Sequence, residues 1–227
     1  MSLTDNPLLA ELDFNAYRLK RLEQYYQLLL EWNAKFNLTA ITDRDEVYTK
    51  HFADSLLGYK VVKGDVCDVG AGAGFPSLPL AIMGVGDSYT LIDSVGKKVN
   101  FLTEVAEKLD LDNVKALHLR AEEAGRGDLR ERFDTVTARA VAPTATLLEY
   151  LAPLAKVGGH VVLYKTDATL ELETARPILH KLGLKEGSVT EYDLEGFRRA
   201  IVVFDKVKST PKAYPRMGNK PRTQPLG

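Results

Sequence analysis

Apolar residues recur at alternating three- and four-residue steps from Leu22 through Tyr25, Leu29 and Trp32 to Phe36. That spacing draws one stripe along a helix spanning 14–36. The polar run Asn37-Leu38-Thr39-Ala40-Ile41-Thr42 breaks the pattern, and Asp43 with Glu46 three positions on reads as a capping box. A second helix is therefore expected to about Leu57, ending near Gly58, with His51, Asp54 and Ser55 sharing one face. From there the pattern alternates. Short apolar runs predict strands near 65–69, 89–93, 114–119, 133–138 and 160–165, with helices near 76–83, 97–109, 121–126 and 143–155. Such alternation implies an α/β fold, a mostly parallel Rossmann-like sheet covered by helices on both faces. Two more strands, 184–190 and 199–206, are joined by so short a connection, containing Gly196, that they must be antiparallel. Three parts are expected: a helical cap over 1–60, the sheet core over 61–207, and a Pro-rich tail or loosely docked arm over 208–227.

The candidate chemistry gathers at Asp65-Val-Cys-Asp-Val-Gly-Ala-Gly-Ala-Gly-Phe-Pro-Ser77. A buried strand leads into Gly70, Gly72 and Gly74, which let the backbone turn sharply and let a ligand approach it, and Pro76 suits the start of a helix. This is how α/β proteins hold an adenosine-containing cofactor. No Gly-Lys-Ser/Thr is present, so the turn is not a P-loop. The dinucleotide fingerprint Gly-x-Gly-x-x-Gly fails from Gly70, where Phe75 falls last, and from Gly72, where Ser77 does. Asp93, 19 residues past Gly74 at the end of the second strand, suits a pair of ribose hydroxyls. Asp68 is a carboxylate inside an apolar strand, which is costly without a role. It suits the ammonium of S-adenosyl-L-methionine, a group dinucleotides lack, or else hydrogen-bonds the turn's own backbone.

Composition narrows the class further. With 45% hydrophobic and 27% charged residues in 227, the chain has an ordinary globular balance. The one cysteine, Cys67, excludes a disulfide framework and a thiolate metal cluster, and scattered histidines make a metal site unexpected. Met-Ser-Leu-Thr-Asp-Asn-Pro lacks the features of a secretion signal, and no run approaches a membrane span, so a cytoplasmic location is expected. Net charge is only −1, but five basic and no acidic residues follow position 207. Lys208, Lys212, Arg216, Lys220 and Arg222 are thus candidate RNA contacts, with Arg18, Lys20 and Arg21 on the first helix.

Asp68-Val-Gly-Ala-Gly-Ala-Gly-Phe-Pro-Ser with Leu91-Ile-Asp-Ser-Val-Gly-Lys-Lys-Val-Asn-Phe-Leu resembles class I S-adenosylmethionine-dependent methyltransferases. Glu31-Trp-Asn-Ala-Lys-Phe-Asn-Leu-Thr-Ala-Ile, His51-Phe-Ala-Asp-Ser-Leu, Arg120-Ala-Glu-Glu, Thr137-Ala-Arg-Ala-Val-Ala and Thr210-Pro-Lys-Ala-Tyr-Pro-Arg narrow the resemblance. It is to the bacterial small-subunit ribosomal RNA methyltransferase G family, also called glucose-inhibited division protein B, and covers nearly the whole chain. The resemblance implies a class I methyltransferase sheet, S-adenosylmethionine as cofactor, and methyl transfer to N7 of one guanine in 16S ribosomal RNA or the small subunit. It also implies that Ala121 and Glu122 border the adenine. The expected protein is monomeric and needs neither metal nor membrane.

The residues agree with that reaction by elimination. Carbon-5 methylation needs a cysteine nucleophile, and Cys67 lies in the wrong strand. Exocyclic-amine enzymes carry Asp/Asn-Pro-Pro-aromatic after strand four, where this chain has Ala138-Arg-Ala-Val-Ala-Pro143. Ribose methylation calls for a base or a lysine–carboxylate cluster; Lys165 ends strand five, but no carboxylate ends strand four. Guanine N7 needs no base. Arg139, at the edge of strand four, is the candidate for positioning the target or touching the cofactor, with a loop-tethering salt bridge as its simpler role; Lys165 is a further catalytic candidate. For His51, Asp54 and Ser55 the choice lies between a network joining cap to sheet and contact with RNA or cofactor. Lys165-Thr166 departs from the family's more usual Lys-Gly. Two other functions fit the sequence: a non-catalytic RNA-binding or ribosome-assembly module, and a small-molecule methyltransferase.

Overall fold

A computed structural model describes residues 2–139 and 142–226. Ala140 and Val141, part of the segment after the fourth strand, lie outside the described residues. Helix α1 (Ala16–Asn33) starts at Asn15, whose side chain accepts from Arg18 N, and buries Leu22, Tyr25 and Leu29. Asp43 caps α2 (Arg44–Val47) by accepting from Glu46 N at 3.0 Å. A π-helical stretch (Tyr48–Ala53) then carries the chain into α3 (Asp54–Leu56). The core follows as β1 (Asp65–Val69), α4 (Ser77–Ile82), β2 (Ser88–Asp93), α5 (Gly96–Lys108), β3 (Val114–His118), α6 (Ala121–Ala124), β4 (Phe133–Arg139), α7 (Thr144–Leu151), β5 (Ala155–Lys165), α8 (Thr169–Leu182), β6 (Leu184–Leu194), β7 (Phe197–Lys206) and α9 (Lys220–Thr223).

The seven strands lie in the order β3-β2-β1-β4-β5-β7-β6. Strands β1 to β5 run parallel; β7 pairs antiparallel with β5 and also with β6, the latter as the short connection through Gly196 requires. The chain leaves β1 first to one side and later to the other, so a crevice opens past the carboxyl ends of β1 and β4. Two apolar clusters hold the sheet. The one containing Tyr25, Phe52, Phe75 and Phe101 joins the helical cap to one face, so the cap shares a core with the sheet. Tyr25 also donates its hydroxyl to the carbonyl of Ala73, which seats the cap on the glycine-rich turn.

Two parts of the structure differ from the sequence pattern. Helix α8 was not expected, although Leu172, Ala175, Ile178, Leu179 and Leu182 are buried at helical spacing. Pro177 interrupts its propensity, while tertiary packing on α7 holds it. The arm after β7 is also docked firmly. The guanidinium of Arg130 donates to the carbonyls of Thr210 (2.5 Å) and Tyr214 (2.9 Å), and Arg126 Nε donates to that of Pro215 at 2.8 Å. Lys206 is fully buried and donates to Ala152 O and Thr210 Oγ1.

Arg216 closes the dock. Its Nε and Nη2 reach the two oxygens of Glu149 at 2.9 and 2.7 Å, and its backbone N donates to the same carboxylate. The Glu149 side chain is wholly buried. Removing the partner of such a charge is far more harmful than the pair is beneficial. Arg216→Ala is expected to destabilise the fold by about 3 kcal/mol, read as a lower midpoint in urea unfolding; Glu149→Gln combined with it should recover part of the loss.

Candidate active site

Past the ends of β1 and β2 lies a cavity of about 480 Å³, walled by the glycine turn, the end of β2, the start of α6 and α7. Its size is typical of a small-ligand site. Gly70, Gly72, Phe75, Asp93, Ala121, Glu122 and Arg139 all line it, as do Lys98 and Asn219, which the sequence pattern did not single out. Asp68 and Gly74 do not. Gly74 has φ +93°, and a Cβ there would fall 2.2 Å from Leu78 and 2.9 Å from the Tyr25 hydroxyl. It is a packing glycine behind the turn. At Gly72, φ is +61° and a Cβ would meet nothing nearer than Gly70 O at 3.7 Å, so its bare face is open to a ligand.

The turn-bonding role considered for Asp68 falls to Asp93. Asp93 supports the turn: its Oδ2 accepts from Gly72 N at 3.0 Å and its Oδ1 from Val95 N at 2.9 Å. Each oxygen retains a further lone pair toward the cavity. Asp68 has zero exposure, and neither oxygen has a well-formed hydrogen bond, with only Ser77 Oγ and its backbone N–H close enough to act on the carboxyl. Burial pushes the Asp68 carboxyl up to about 7, against the pull of Ser77 and of the Arg139 charge. That carboxyl lies sealed behind the glycine turn, on the side of the cavity where it can act only through the turn or a bridging water. The Asp93 lone pairs, the open Gly72 face and the apolar wall of Ile92, Leu119 and Leu147 match the ribose and adenine of S-adenosylmethionine.

An acid whose folded value lies above its unfolded one lowers stability as pH rises between them. For Asp68 that window runs from 3.8 to about 7, and above it the loss is complete. Asp68→Asn is therefore expected to stabilise the ligand-free protein at pH 8 by up to roughly 4 kcal/mol, with a smaller gain at pH 5. Melting curves across pH check this; an equal gain at both pH values contradicts it.

Arg139, the last residue of β4, stands between this cavity and a second one of about 550 Å³. His51 and Ala142 also line both. Arg139 Nη1 donates to Asp54 Oδ2 at 2.9 Å and Nη2 to His51 Nδ1 at 3.2 Å, while the guanidinium sits 4.8 Å from the Phe75 ring centroid. His51 Nδ1 lies 3.2 Å from both the Arg139 Nη2 donor and the Lys50 carbonyl; accepting from Arg139 puts the ring proton on Nε2, facing Thr39 Oγ1 at 2.9 Å. Burial and the Arg139 charge lower the His51 pKa to about 3, so the ring is neutral. It positions Arg139 and offers no free base. Asp54 is held from the other side by Arg199 Nε at 2.7 Å, and the Tyr164 hydroxyl donates to Ser55 O. The His51–Asp54–Ser55 face thus joins the cap to the sheet, and the tethering salt bridge considered for Arg139 is present.

Lys165 reaches Glu171 Oε2 at 2.5 Å and Ala142 O at 3.2 Å, and Glu171 also accepts from Thr144 N and Oγ1. A lysine–carboxylate pair therefore exists, supplied by α8 and not by strand four. Its presence removes the ground on which the sequence pattern set ribose chemistry aside. Among the basic candidates on α1, Arg18 pairs with Asp13 and Arg21 donates to Asp110 O, while Lys20 is exposed. In the arm, Arg216 is committed to Glu149, whereas Lys208, Lys212, Lys220 and Arg222 are exposed. The signals for Glu171 and Arg199 were absent from local spacing, since each acts across the fold. Among the described residues no cluster could hold a metal ion and no helix is long and apolar enough to cross a membrane.

A glycine turn at the switch point of a sheet with the antiparallel β7 beside β5 defines the Rossmann-like methyltransferase fold. M. capricolum TrmK, solved with S-adenosyl-homocysteine, superposes with a TM-score of 0.55 at 12% identity, over 74% of this chain and 72% of that one. The family described as GidB, rRNA small subunit methyltransferase G, matches residues 18–201. Proteins named ribosomal RNA small subunit methyltransferase G are similar nearly end to end. That of Lactobacillus johnsonii is 47% identical, covering 94% of each chain, and that of an Exiguobacterium strain is 48% identical over 92% of this chain and 91% of its own. The chain belongs to the rRNA small subunit methyltransferase G family.

Proposed function

We propose that this protein transfers a methyl group from S-adenosylmethionine to small-subunit ribosomal RNA, with guanine N7 as the acceptor. The observation that carries the reading is the pair of adjoining cavities divided by Arg139. One has the groups that fit an adenosyl amino acid. The other is lined by the cations Lys50, Arg139, Lys165 and Arg199, by the carboxylates Asp54 and Glu171 that pair with three of them, and by neutral His51, a setting that stays net basic toward a nucleotide and its phosphates. When bound, S-adenosylmethionine supplies an electrophilic sulfonium methyl, whose transfer to an unprotonated ring nitrogen needs no general base.

The chain's part is alignment. Asp93 fixes the turn and would offer its outer lone pairs to the ribose, and Asp68, buried behind the turn, would act on the ammonium through a bridging water. Arg139 has five donors, three of them engaged by Asp54, Lys50 O and His51. The remaining two are available for guanine O6 or a flanking phosphate, leaving N7 free toward the methyl. Orientation of this kind can supply about 7–11 kcal/mol of the barrier. The chain is taken to act in the cytoplasm as a monomer, and sedimentation of the purified protein checks the monomeric state.

The test is transfer of labelled methyl from S-adenosylmethionine to small-subunit RNA or subunits lacking the modification. Label in RNA supports the reading. Cofactor binding with label only in small acceptors, or in nothing, overturns it.

A further inference from the structure

The basic arm suggested an RNA contact, yet its stretch from Arg216 to Gln224 runs along the rim of the cofactor cavity. Three ties hold it there. Arg216 is clamped on the fully buried Glu149 of α7. Pro221 is buried, and its carbonyl accepts from Thr146 Oγ1 at 3.1 Å, a residue only 1% exposed. Arg216 Nη2 also donates to Gln224 O at 2.7 Å, which fixes the end of α9 to the same anchor. Thr146 and Glu149 flank Leu147 and Tyr150, which face the cavity, so the anchors and the cavity wall are one helix. Asn219 and Arg222 are thereby brought onto the rim on the α6–α7 side. The Arg222 charge is felt by Tyr150 there.

We infer that the stretch 216–224 is a fixed strap completing the cofactor cavity, with Asn219 and Arg222 contacting the adenosine end of the bound molecule. The inference rests on the proposed cofactor. With the amino-acid end at Asp68 and the ribose at Asp93, the adenine falls toward Ala121, Glu122 and Tyr150, the side on which the strap lies. The two side chains suit a purine. An amide pairs with the N6/N7 edge of adenine, and a guanidinium stacks on its face. The Asn219 side chain makes no capping bond to α9, so its amide is not committed to the helix. Arg222, placed among RNA-contact candidates by charge alone, is assigned here to the cofactor.

Calorimetric titration of S-adenosylhomocysteine into the full-length protein without RNA tests this. Asn219→Ala with Arg222→Ala is expected to weaken binding about tenfold, and so is a chain ending at Gly218, which keeps the Arg216–Glu149 clamp. Melting of each variant without ligand shows whether it is folded; the double substitution touches only exposed side chains and keeps the test valid if the shortened chain unfolds. Wild-type affinity in the folded double variant overturns the strap. Failure of the unaltered protein to bind overturns the cofactor reading itself, a distinct result.

Discussion

Replacing Asp93 by alanine is expected to weaken S-adenosylhomocysteine binding by at least about a hundredfold. Two effects combine. The cavity loses a charged acceptor for two ribose hydroxyls, and hydrogen bonds to a charged group are worth about 1.5–3 kcal/mol each. The glycine turn also loses its brace, because Gly72 N and Val95 N no longer meet at one carboxylate. Asp93→Asn is the informative companion. It keeps one acceptor oxygen for the turn but presents an amide where the other backbone N–H donates, so an intermediate loss is expected. Titration calorimetry reads both. An alanine variant binding within about threefold of the unaltered protein contradicts the placement of the ribose at the end of β2.

Arg139→Ala should act on a different step. Methylation of ribosomal RNA is expected to fall about a hundredfold in kcat, with a much smaller change in affinity for S-adenosylhomocysteine. The fold should survive, since Asp54 keeps Arg199 at 2.7 Å as a partner. Arg139→Lys should not restore the rate: an ammonium cannot hold Asp54 and His51 while presenting two more donors in a fixed fork. Equal losses in rate and cofactor affinity would instead make Arg139 a cofactor-binding residue alone. A rate recovered by lysine would reduce its role to charge.

Much of this was written locally. The β1 run and the glycines sit within one strand–turn–helix unit, where spacing alone fixes what faces what, and Asp93 ends the next strand. Asp68 announced itself because a carboxylate in an apolar strand has few uses. What spacing could not show were partners far apart in the chain. Asp93 and Gly72 meet through the parallel register of β1 and β2, so the bond that braces the turn depends on the sheet having formed. Arg216 and Glu149 are 67 residues apart, and until their pairing is known the arm reads as solvated charge. Glu171 depended on a helix that Pro177 obscured, and Arg199 reaches Asp54 only because β7 inserts beside β5. Gly74 shows the opposite failure. It belongs to the glycine pattern, but its bare Cα serves packing against Leu78 and Tyr25.

The most direct measurement locates the added methyl at atomic level. Small-subunit RNA lacking the modification is treated with the protein and S-adenosylmethionine, then with borohydride and aniline, which break the chain only where guanine carries a methyl on N7. A single strand break that depends on both protein and cofactor, and disappears with Asp93→Ala, is the result expected. Methyl incorporation with no such break, placing the group on a ribose or an exocyclic amine, would contradict the base-free alignment built around Arg139.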